Sequence, residues 1–116
     1  MNPFRKEAGM VVVVFRTRLK DGTDEQALTA LGGRMFEIAS AMPGFISYKD
    51  FAAPDGESVA IVEFDSLETL AAWRQHPEHL AAQEQGRQEY FASYQVQVCA
   101  PLRSYRFDAS GRHVED

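Results

Sequence analysis

The run Val11-Val12-Val13-Val14-Phe15 constrains this chain more than any other feature. β-branched and aromatic side chains lose χ1 freedom in a helix and fit a pleated strand. Neighbouring residues of a strand point to opposite faces, so a run that is apolar at every position needs cover on both sides. With Arg16 to Leu19 it predicts a strand in the middle of a sheet. Val59-Ala60-Ile61-Val62, inside 58–64, has the same character and predicts a second central strand. Between them, Leu28, Leu31, Met35, Ile38, Ala39 and Met42 recur at helical spacing. Thr23 followed by Gln26 reads as a capping box, and Pro43-Gly44 ends the helix. Gly32-Gly33 inside it costs about 1 kcal/mol per glycine against alanine. A close approach of helix to sheet is one reason to keep them.

Residues 45–52 read as a further strand, and Pro54-Asp55-Gly56 as a turn. Asp65 or Ser66 caps the next helix, whose apolar side is Leu67, Leu70 and Trp73. Pro77 breaks it. Helical pieces follow over 78–85 and 87–92. Tyr94, Val96, Val98, Ala100 and Leu102 then alternate with polar residues as a half-buried strand. The apolar parity shifts at Tyr105 and Phe107, implying a bend over 101–104. The order β-α-β-β-α-β predicts an α+β, ferredoxin-like domain: a four-stranded antiparallel sheet with helices on one face. Right-handed crossovers put the first and third strands in its centre. The 116 residues make one domain, with an ordered core over about 10–107 and frayed ends. Two helices cover one sheet face, so the other predicts a homodimer paired face to face.

Charge and composition exclude several functions. Net charge is 12 − 17 = −5, which argues against a nucleic-acid surface. No stretch approaches the roughly 20 apolar residues of a membrane span, and the charged start lacks a signal core. Cys99 is the only cysteine, so no intrachain disulfide forms and a reducing cytoplasm is the expected compartment. Pro77 separates His76 from His79 and no other ligand cluster is present, so no metal is expected. Phosphate loops, dinucleotide fingerprints and nucleophile elbows are absent.

Three segments carry a resemblance: Met42-Pro43-Gly44-Phe45, then Glu63-Phe64-Asp65-Ser66-Leu67-Glu68, then Trp73-Arg74-Gln75-His76-Pro77-Glu78-His79. Together they resemble the antibiotic biosynthesis monooxygenase-like family, over 11–107. The resemblance implies a dimeric α+β barrel. Members of that family include cofactor-independent oxygenases of polycyclic aromatics or quinols, haem-degrading proteins, and proteins without established activity. The haem branch resembles a pattern of a first-strand asparagine and a histidine about ten residues after the tryptophan. Here the first strand has no asparagine and the later position is Gln83. The oxygenase branch resembles an asparagine four residues before the tryptophan and a tyrosine six after it. These positions are Thr69 and His79.

The candidate catalytic pair is therefore His79 and Trp73. A histidine suits a general base near neutral pH. Trp73 offers an aromatic wall and an N–H donor, against the plainer reading of a large core residue. Tyr48, Phe51, Tyr90 and Phe91 are candidate substrate-binding walls, against ordinary core packing. Arg16 and Arg18 share a face and suit either an anion at a barrel mouth or solvent. Cys99 falls on a polar parity without a nearby base and reads as structural. The leading expectation is an oxygenase of a small aromatic or quinol-like molecule, working without a cofactor. The second is a non-catalytic ligand-binding or stress-associated dimer.

Overall fold

The computed structural model describes residues 9–111 and 113–115. The core sheet has β1 (Val11–Leu19), β2 (Phe45–Ala52), β3 (Ser58–Phe64) and β4 (Phe91–Cys99). Its order is β2-β3-β1-β4, antiparallel throughout. The two predicted central strands are central. Helix α1 (Glu25–Ala41) follows β1, while α2 (Leu67–Arg74) and α3 (Pro77–Gln85) follow β3. The helices pack on one sheet face, giving the ferredoxin-like arrangement. Between helices and sheet, Val11, Val13, Val62 and Phe64 meet Met35, Ile38, Ala39, Leu70 and Trp73. None of the helices among the described residues is long and apolar enough to cross a membrane.

Several local expectations need correction. The N-cap of α1 is Asp24, which accepts from the Ala27 N–H at 3.0 Å. Thr23 instead donates its hydroxyl to the carbonyls of Lys20 and Tyr90, tying the turn after β1 to the start of β4. Residues 86–90 form a π turn, Gly86–Tyr90, and β4 begins at Phe91 rather than Tyr94. A side chain on Gly86 would run into the Phe91 ring at 2.6 Å, so the turn needs glycine there. After the core sheet, β5 (Tyr105–Phe107) pairs with β6 (His113–Glu115). The frayed start expected over 1–8 lies outside the described residues.

Gly32 and Gly33 do not mediate a close approach, because a Cβ on either meets nothing within 4 Å. Their cost to the helix is therefore removable. Gly33→Ala should stabilise the fold by about 1 kcal/mol, read as a higher urea midpoint at unchanged slope.

The outer strand β4 is unusual. Tyr94, Val96 and Val98 register with Thr17, Phe15 and Val13, which puts them on the helix side of the sheet. Yet α1 and α2 leave them more than a third exposed. Val98 borders an open apolar groove of about 350 Å³ with Leu67, Leu70, Ala71 and Arg74. On the opposite face, Val12, Val14, Val59 and Ile61 form a half-buried strip. Leu102 and Phe107 are 66% and 71% exposed. The radius of gyration, 16.0 Å, exceeds the roughly 13 Å of a compact chain this long.

Candidate functional site

The site is built where α2 ends. Ser66 caps α2, accepting from the Thr69 N–H at 3.1 Å, and starts a helix of eight residues. Its inward side presents Leu70 and Trp73, and Trp73 is 5% exposed. The Trp73 ring stacks on Phe64 of β3 at 5.6 Å and meets Tyr48 of β2 edge-on at 6.2 Å. Pro77 cannot donate a backbone N–H, so it opens a new helix rather than continuing the old one. His76 caps α3 by accepting the Glu78 N–H at its Nδ1, 3.1 Å away. Two residues after Pro77, His79 turns back onto Trp73. Their ring centroids lie 4.4 Å apart at 60°.

The two rings touch, so nothing fits between them. Both rings carry a buried polar atom without a hydrogen-bond partner among the described residues: Trp73 Nε1 and His79 Nδ1. Buried polar atoms are nearly always satisfied, so two adjacent exceptions single this contact out. Burial lowers the pKa of His79, while a hydrogen bond to the Arg74 backbone partly opposes it and the charges of Arg74 and His76 reinforce it. The imidazole is thus held toward its neutral, proton-accepting form. The Tyr48 phenol is pushed up to about 12 by burial and the nearby Asp50 carboxylate, so it stays protonated and does not compete as a base.

The remaining candidates lie apart from this pair. Phe51 pairs with Val59 on the other sheet face, is 48% exposed, and lies under the Lys49 ammonium at 5.7 Å. Tyr90 is buried at the π turn, its hydroxyl accepting from Gln85 at 3.3 Å. Phe91 packs edge-on against Phe15 and near Tyr94, a separate aromatic group. The strand period separates Tyr48 from Phe51, since residues three apart face opposite ways. Phe36 and Phe45 were not singled out from sequence, but both join the Tyr48 side of the cluster.

Thr69, at the position of the oxygenase-branch asparagine, is committed to structure. Its hydroxyl donates to Asp65 Oδ1 at 2.7 Å and lies 3.1 Å from the Ser66 hydroxyl. Gly44, at φ +83°, passes so close that a Cβ there would overlap Thr69 at 2.6 Å and collide with the Asp65 carboxylate. Arg16 and Arg18 are also occupied: Arg16 grips Glu57 through two bonds at 3.0 Å, and Arg18 grips Asp55. An anion there would have to displace a carboxylate. Cys99 is exposed at the end of β4.

The profile of the antibiotic biosynthesis monooxygenase family matches residues 10–85. The chain belongs to that family. The uncharacterized protein YqjZ of Bacillus subtilis (strain 168) is 37% identical over 74 residues. That match covers 64% of this chain and 65% of YqjZ. Among solved structures, Rv0793 of Mycobacterium tuberculosis superposes with a TM-score of 0.73 at 28% identity. It covers 82% of this chain and 97% of its own. SnoaB, a cofactor-independent oxygenase from Streptomyces nogalater, gives 0.69 at 14% identity, covering 81% and 94%. The likeness to SnoaB is one of fold.

Proposed function

We propose that the chain is a monooxygenase of a small aromatic or quinol-like substrate, working without a cofactor, with His79 as base and Trp73 as wall and N–H donor. The observation that carries this reading is the contact between two rings that each hold a buried, unpartnered nitrogen, one of them an imidazole favoured neutral. Family membership supports it. In the chemistry, His79 takes a proton from an acidic C–H or O–H of the substrate. The electron-rich anion passes one electron to dioxygen, and the resulting radical pair closes a C–O bond. The His79 imidazolium returns its proton to the peroxide anion, and loss of water from the resulting hydroperoxide leaves one oxygen atom as a carbonyl and releases the other as water. The protein supplies the base, an apolar wall and exclusion of water.

The proposal includes a homodimer. Nine-residue β4 is an edge strand exposed along nearly its whole length, and such edges are ordinarily covered. The apolar groove beside it, the strip on the open sheet face and the exposed Leu102 and Phe107 add further surface of the kind that association buries.

The test is oxygen uptake on a panel of hydroquinones and anthrones after strict metal removal, with light scattering on the same sample. Uptake with one oxygen atom incorporated, by a species of twice 13.0 kDa, is the expected result. Ligand binding without uptake would favour a non-catalytic binding protein, and a monomer at every concentration would remove the dimer.

A further inference from the structure

We propose that the ion pair between Arg34 of α1 and Glu78 of α3 is the positioning device that seats His79 on Trp73. This rests on the reading of His79 as the base, but its test does not require turnover. Arg34 Nε and Nη2 donate to the two Glu78 carboxylate oxygens at 2.8 and 2.7 Å. The pair spans 44 residues and joins the middle of α1 to the first turn of α3, the turn that also carries His79.

This contact matters because it ties that end of α3 to α1, while its other attachments lead back to α2. The helix has nine residues and none is fully buried. A helix this short does not persist without docking. Ala82 reaches the core, and Gln85 bonds the buried Tyr90, but both belong to the later turns. At the start, the His76 N–H bonds the Trp73 carbonyl at 3.0 Å, His79 meets the Trp73 ring and hydrogen-bonds the Arg74 backbone, and Glu78 on Arg34 reaches α1. A single ion pair between exposed groups contributes little to global stability. A two-bond fork does fix direction, because guanidinium and carboxylate planes must align. Its effect is on where the first turn sits rather than on whether the protein folds.

The experiment is an NMR titration of the His79 imidazole, assigned among three histidines by its loss in His79→Gln. The groups around His79 are Arg74 from α2, His76 at the cap, Glu78 beside it, Arg34 and Glu37 from α1, and the Tyr48 phenol beyond Trp73. Glu78→Gln separates two causes by sign. If the carboxylate acts only by charge, its removal makes imidazolium less favourable and moves the midpoint down. If it acts by seating the ring, its removal lets His79 into water and moves the midpoint up toward about 6.5. We expect the upward shift. Arg34→Lys keeps the charge and loses the fork, so it should shift the midpoint the same way. The fluorescence of Trp73, the only tryptophan, gives a second readout, because an adjacent imidazolium quenches indole. Far-UV circular dichroism checks that each variant is folded. An unchanged or lowered midpoint in both variants overturns the positioning role. Loss of the catalytic reading would show separately, as full oxygen uptake by His79→Ala.

Discussion

Trp73→Ala should lower the unfolding free energy by about 3–5 kcal/mol, the range for removing a large buried aromatic. Urea unfolding at constant slope measures it. The side chain lies between Phe64, Tyr48 and His79, so its loss empties a space bounded by three elements. Trp73→Phe keeps most of that packing and should cost far less. It loses the indole N–H, so in a substrate assay it should weaken binding more than turnover. A stability loss below about 1 kcal/mol for Trp73→Ala would mean that the ring is not the keystone of this end of the core.

His79→Ala should have the opposite profile. The residue is half-buried, so stability should change little, while kcat/KM should fall by roughly 100-fold or more, the usual scale for losing a general base. In the parent protein the rate should rise with pH as His79 loses its proton, with a midpoint below the 6.5 of a free histidine, because burial disfavours the charged ring. The stability linkage has the matching sign. The unfolded chain binds this proton more tightly than the folded one. The contribution of the buried neutral ring is therefore complete above about pH 6.5 and is lost as the pH falls toward the folded midpoint. A rate profile flat through this range, with full activity in His79→Ala, would remove histidine from the chemistry.

The fold was legible because its strongest signals are local. Val11 to Phe15 and Val59 to Val62 are apolar at every position, which suits the middle of a sheet, and there they are. Pro77 announced the helix break, and the break brings His79 to Trp73. What was missed depends on distance or on small differences in backbone geometry. Thr23 and Asp24 are both good caps, and only the position of Tyr90 decides how Thr23 is used. The π turn at Gly86–Tyr90 carries the helix formers Arg87, Gln88 and Glu89, so these do not separate it from an α-helix. Phe51 and Tyr48 were grouped as walls of one site, although their spacing of three already places them on opposite faces of the strand. Arg34 and Glu78 look like ordinary surface charges until the fold brings them together.

The break at Pro77 has an electrical consequence. Had one helix run from Leu67 to Gln85, residue 79 would lie in its interior, where peptide dipoles nearly cancel. Instead, His79 occupies the first turn of a new helix, three positions after its cap. The aligned peptide dipoles of α3 place partial positive charge at this end. An imidazolium there opposes the local field, whereas a neutral ring does not. The same proline that bends the chain toward Trp73 thus adds to burial in keeping the histidine ready to accept a proton.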